Sequence, residues 1–124
     1  MAKILYIEDI EDNQTLVKKI VMSQGHELLW AHTAEMGLEM ALNSHPDLIL
    51  LDLGLPDSDG QTLSVWMRSE PDLENVPIIV LTAWPEEVAR HTVDAYSLDG
   101  YLCKPISPKS LLQIINTALD SSAS

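Results

Sequence analysis

Short runs rich in Ile, Leu and Val recur along this chain, each followed by a longer segment of helical period. That alternation constrains the fold more than any single residue does. A strand buried on both faces reads as a nearly continuous apolar run, and parallel strands need long crossovers, usually helices, to join them. The runs predict strands at Lys3–Ile7, Glu27–Ala31, Asp47–Asp52, Pro77–Thr82 and Gly100–Cys103. The expected class is α/β, a doubly wound (βα)5 arrangement with a five-stranded parallel sheet covered on both sides. At 124 residues the chain fits one domain, expected over 1–120, with 121–124 as a short flexible tail.

The intervening segments carry helix signals. Leu16, Val17, Ile20 and Val21 form one stripe in a helix of about Asp12 to Gln24, which Gly25 ends. Thr33 is placed to cap a second, Ala34 to Asn43, with Leu38, Ala41 and Leu42 inward. A third follows the Asp59–Gly60 turn and carries Leu63, Trp66 and Met67. A fourth starts at Pro85 and carries Val88, Ala89, Val93 and Tyr96. The last has Ser107 as cap and Pro108 in its first turn, then Leu111, Leu112, Ile114, Ile115, Ala118 and Leu119.

Charge narrows the partners. Seven Lys and Arg against nineteen Asp and Glu leave a net charge of −12, which disfavours direct binding to nucleic acid or to an anionic membrane. The single cysteine, Cys103, excludes an internal disulfide and reads as a small buried hydrophobe. No zinc-type spacing is present, and "DSDG" lacks the acid that a calcium loop needs, because that place holds Leu55. Without a signal peptide or a spanning apolar run, the expected location is the cytoplasm.

Ligands of open parallel sheets bind beyond the carboxyl ends of the strands. Those ends hold Glu8–Asp9, Asp52, Thr82 and Cys103–Lys104–Pro105. A buried run that ends in an acid, as in "PDLILLDLGLPDSDG", is a rigid mount for a carboxylate. Converging carboxylates raise one another's pKa unless a cation joins them, and Mg2+ is suited to the task because it takes carboxylate and carbonyl oxygens. Asp52 is then a candidate nucleophile toward phosphorus, with Lys104 and the metal neutralising the phosphoryl oxygens and Thr82 donating to one of them.

The segments "ILYIED", "DLILLDLGLPDSDG", "PIIVLTA" and "GYLCKP" resemble the receiver domain of bacterial two-component response regulators, in order from Met1 to about Leu119. The resemblance implies a flavodoxin-like strand order, 2-1-3-4-5. It makes Asp52 the phosphoacceptor, and Glu8, Asp9, Asp52 and the Gly54 carbonyl the Mg2+ ligands. Thr82 and Tyr101 become the switch pair, Lys104 the phosphate-pairing lysine, and Pro105 the site of a cis peptide bond. It further implies a phosphoryl donor that is a histidine kinase, a phosphotransfer protein or a small molecule such as acetyl phosphate. Partner binding would change at the face made by the fourth helix, the fifth strand and the fifth helix, and a phosphorylation-dependent dimer stays open there. Such a protein modifies only itself and is not an enzyme in the ordinary sense.

Two other classes are open to residue-level reading. A flavin-binding carrier of the same topology would need a phosphate cradle that the acidic "EDIEDN" does not offer. A receiver used only for constitutive binding would be marked by loss of Asp9, Asp52 or Lys104, and all are present. Ser97 stands where relatives often have Gly, which puts the turn after the fourth helix in question. Trp84, two residues beyond Thr82, is expected to shield an acyl phosphate from water.

Overall fold

The computed structural model describes residues 2–8, 11–53 and 60–123. Strand and helix alternate as β1 (Lys3–Ile7), α1 (Glu11–Met22), β2 (Glu27–Ala31), α2 (Ala34–Ser44) and β3 (Leu48–Asp52), then α3 (Gly60–Arg68), β4 (Ile78–Thr82), α4 (Glu86–Ala95), β5 (Gly100–Cys103) and α5 (Pro108–Ala123). All pairings are parallel, in the order β2-β1-β3-β4-β5. The class read from the sequence and the strand order that the resemblance implies are those of the structure. Boundaries differ slightly: β3 and β4 begin one residue later than the apolar runs suggest, and α5 stays helical to Ala123.

The sheet divides two cores by residue parity. Leu5, Ile7, Ile49, Leu51, Ile78 and Val80 face α2 and α3, meeting Ala34, Ala41, Leu63 and Met67. Ile4, Tyr6, Leu48, Leu50, Ile79 and Leu81 face α1 and α5, meeting Val17, Ile20, Val21, Leu111 and Ile115. Every residue of β3 and β4 is buried, which is why these strands read as unbroken apolar runs. Each buried Leu or Ile contributes about 1.5–3 kcal/mol, so the strand that presents Asp52 is anchored from both sides. On the α2 side the approach is close: a Cβ at Gly37 would come within 2.6 Å of Ile7 Cδ1.

Several expected caps are present. Thr33 Oγ1 accepts from the Met36 N–H at 3.1 Å, and Gly25 adopts φ 79 after α1. Helix α4 closes on Ser97, whose φ of 56 is left-handed, while the Leu98 N–H reaches back to the Val93 carbonyl at 3.0 Å. The turn that the absence of Gly put in question is therefore made, with a serine in the strained place.

Other expectations are corrected. Leu16, read on the apolar stripe of the first helix, and Trp66, Val88 and Tyr96, read among the apolar residues that the third and fourth helices carry, are exposed large apolar residues, and Tyr96 is the C-cap of α4 rather than part of it. A helix packed on a sheet buries only its central seam, as Ala89 and Thr92 do in α4, and leaves the apolar residues beside that seam exposed. Pro85 is likewise the cap before α4, and Cys103 is only half-buried because β5 is an edge strand. Among the described residues no helix is long and apolar enough to cross a membrane.

Candidate functional site

The strand order places β1 beside β3 at the centre of the sheet, where the direction of winding reverses. Their register pairs Ile7 with Leu51, so the next residues stand side by side at the rim, Glu8 just past β1 and Asp52 as the last residue of β3. On the other flank β4 carries Thr82, paired with Cys103, and β5 delivers Lys104 one residue later. The Lys104 N–H donates to the Thr82 carbonyl at 2.7 Å, extending the ladder past the strand end, and the Lys104–Pro105 peptide is cis.

Lys104 Nζ lies 3.2 Å from Glu8 Oε2 and 3.2 Å from Asp52 Oδ2. Glu8 is fully buried and Asp52 nearly so, while the lysine keeps partial access to solvent. Burial alone would lower the lysine's pKa, but the Asp52 and Glu8 carboxylates more than reverse this and hold it above the ordinary value. The ammonium is thus fixed in its charged form between two acids.

Glu8 is held at further points. Its N–H donates to the Ala31 carbonyl at 3.0 Å, and its own carbonyl accepts from Trp30 Nε1 at 2.7 Å. Its Oε2 also accepts from the Tyr6 hydroxyl at 3.1 Å. Burial, then the Glu8 charge, pushes the Tyr6 phenol far above its usual pKa, so it remains a donor. Sequence reasoning missed Tyr6 and Trp30. A polar-tipped aromatic within the buried run "KILYI" was the available signal, since a buried phenol needs a partner.

Of the residues read from the sequence, Glu8, Asp52 and Lys104 come together in one ion-paired cluster, and Thr82 ends the adjacent strand, buried. The Thr82 hydroxyl accepts from the Trp84 N–H at 3.0 Å. Tyr101 does not join the cluster, because its phenol donates outward to Glu86 Oε1 at 2.9 Å. Asp9 and Gly54 lie outside the described residues. Beside the cluster, Tyr6, Leu16, Val17, Lys104, Pro105 and Ile106 line a cavity of about 170 Å³.

Comparison with known proteins gives this arrangement a context. The polar-differentiation response regulator DivK of Brucella ovis is 28% identical over 116 residues, covering 94% of both chains. The crystal structure of a two-component response regulator from Clostridium difficile superimposes with a TM-score of 0.90 at 27% identity over 100% of both chains. The receiver domain of the sensor histidine kinase PA1611 from Pseudomonas aeruginosa, crystallised with a magnesium ion in its active-site cleft, does so with a TM-score of 0.88 at 28% identity, over 96% of this chain and 98% of that one. Residues 4–116 match the response regulator receiver domain, and with the strand order and the strand-end cluster already in place, the chain belongs to that family.

Proposed function

We propose that this receiver accepts a phosphoryl group on Asp52 and changes its binding partner as a result. The observation that carries the reading is the Lys104 ammonium poised 3.2 Å from Asp52 Oδ2 at the sheet's switch point. In the transfer, an Asp52 oxygen forms a bond to phosphorus. The bond from phosphorus to its donor breaks, and the electron pair leaves with a histidine nitrogen or, for acetyl phosphate, with acetate. Lys104 is within reach to turn from the carboxylate to the phosphoryl oxygens, which favours the transfer electrostatically.

The donor set suits Mg2+. Glu8 and Asp52 present hard anionic oxygens that already converge on one cation, and Asp9 and the Gly54 carbonyl would complete the ligands. Bound there, Mg2+ supplies charge neutralisation for the carboxylates and the incoming phosphoryl group. The magnesium in the cleft of the PA1611 receiver supports this assignment.

Thr82 is the residue that reads the new charge. Its hydroxyl accepts one hydrogen bond from Trp84 and retains a proton to donate toward a phosphoryl oxygen. Tyr101 follows, altering the face of α4, β5 and α5. Histidine kinases or phosphotransfer proteins are the donors this reading names, in the cytoplasm. A downstream protein is the recipient, and the net charge of −12 argues against nucleic acid on this domain.

The deciding experiment is intact-mass spectrometry after incubation with acetyl phosphate and Mg2+, beside Asp52→Asn and an EDTA control. A gain of about 80 Da that needs both Asp52 and metal is expected for an aspartyl phosphate. Equal gain in Asp52→Asn would overturn the assignment.

A further inference from the structure

Tyr101 sits on β5 with its ring packed against the α2–α3 core and its hydroxyl turned outward to Glu86 Oε1 at 2.9 Å. Glu86 begins α4, directly after Pro85, so this bond ties the start of the helix to the edge strand. Arg90, one turn on, reaches the same Glu86 oxygen at 3.4 Å. Tyr101 and Arg90 therefore meet at one carboxylate oxygen, and the neighbouring Tyr101 first, then Glu86, hold the Arg90 guanidinium above its ordinary pKa.

The segment from Thr82 to Glu86 carries two bonds that face opposite ways. At one end the Thr82 hydroxyl is held by the Trp84 N–H at 3.0 Å, and at the other Glu86 holds Tyr101. Recruiting Thr82 toward the end of β3 disturbs the first bond and displaces the loop that carries the second. The outward position of Tyr101 and the resting position of Thr82 therefore support each other through a short stretch of backbone.

We propose that Glu86, backed by Arg90, is a latch that holds Tyr101 outward and sets how far the unphosphorylated domain leans toward its resting state. The inference rests on the switch reading of Thr82 and Tyr101. The latch is suitably weak: the Arg90 and Glu86 side chains are 60% and 66% exposed, so their pairing biases an equilibrium without locking it. Loss of one hydrogen bond of this kind shifts two states by roughly two- to tenfold.

The test is 19F NMR on protein carrying 3-fluorotyrosine, with the Tyr101 signal identified by Tyr101→Phe. Beryllofluoride with Mg2+ serves as the phosphoryl mimic. Glu86→Ala is expected to move the unliganded Tyr101 signal part of the way toward its beryllofluoride position, whereas Glu87→Ala, an exposed acid in the same helical turn, leaves it in place. Glu86→Ala and Tyr101→Phe should each raise the rate of phosphorylation by acetyl phosphate roughly two- to tenfold, and the double variant no further than either alone. An unmoved signal in Glu86→Ala, with the beryllofluoride shift intact, overturns the latch and spares the switch. Full additivity in the double variant also overturns it. No beryllofluoride shift in the unmodified protein removes the switch reading, and the latch with it.

Discussion

The ammonium of Lys104 stands 3.2 Å from the carboxylate of Asp52, joining the residue after β5 to the last residue of β3 across the intervening strand. Glu8 shares the same ammonium at 3.2 Å, so one cation serves two buried acids. Removing either charge has opposite consequences.

Lys104→Ala removes the ammonium that two buried carboxylates share and is expected to cost about 1–3 kcal/mol in urea unfolding with EDTA present. Asp52→Asn relieves the repulsion between the acids and is expected to be neutral or stabilising by up to about 1 kcal/mol. A loss for Asp52→Asn as large as that for Lys104→Ala would show that the cluster is not charge-frustrated.

Tyr6 and Lys104 both have folded-state pKa values above their unfolded ones, so both bind more protons folded than unfolded at alkaline pH. Their stabilisation is complete below the unfolded values, about 10 for tyrosine and slightly higher for lysine, and fades as pH rises through the folded values. Tyr6→Phe is expected to cost about 1.5–3 kcal/mol at pH 7, because the phenol's bond to charged Glu8 is lost. It should also lose stability less steeply than the parent above about pH 10. Parallel stability curves for the two proteins across that range would refute the account.

Ser97 occupies a left-handed conformation, φ 56, at the end of α4. Ser97→Gly removes that strain at some cost in chain entropy, and a net gain of about 0.5–1 kcal/mol is expected from thermal or urea unfolding. The Leu98-to-Val93 bond that closes the turn uses backbone groups only, so the variant retains it. A destabilised Ser97→Gly would mean that the serine side chain contributes more than its backbone costs.

Trp84 is exposed at the mouth of the β4–α4 loop and its N–H holds the Thr82 hydroxyl. With Asp52 phosphorylated, Trp84→Ala is expected to open a path for water and shorten the acyl phosphate's lifetime by roughly two- to tenfold, about 1 kcal/mol in the barrier. Phosphate release timed by mass spectrometry decides it, and identical lifetimes in both proteins would remove the shield.

The strands, the layering and the acids at the strand ends were legible because they rest on local signals. Uninterrupted apolar runs such as Leu48–Leu51 can be satisfied only by burial on both faces, and the residue that ends such a run must emerge at the sheet's rim. Strand order was carried by resemblance, since helical crossovers of similar length are compatible with several orders. The exposure of Leu16, Trp66, Val88 and Tyr96 escaped a reading of periodicity, which gives the direction of an apolar stripe but not how wide a seam the neighbouring sheet covers.

Arg68 marks the same limit. It joins the end of α3 to the carbonyls of Leu73, Val76 and Ser97 and pairs with Asp99 at 2.7 Å, and nothing in the spacing of those residues announces the hub. Tyr6 with Glu8, Trp30 with the Glu8 carbonyl, and Tyr101 with Glu86 belong to the same group. By itself the sequence determined where the strands run, that β3 and β4 are buried throughout, and that Glu8, Asp52 and Lys104 stand at strand ends, because those follow from alternation along the chain. Which donor each buried acid receives, and which way Tyr101 turns, was decided only by the tertiary structure, because hydrogen bonds act over about 3 Å and join residues whose proximity exists only once the sheet has formed.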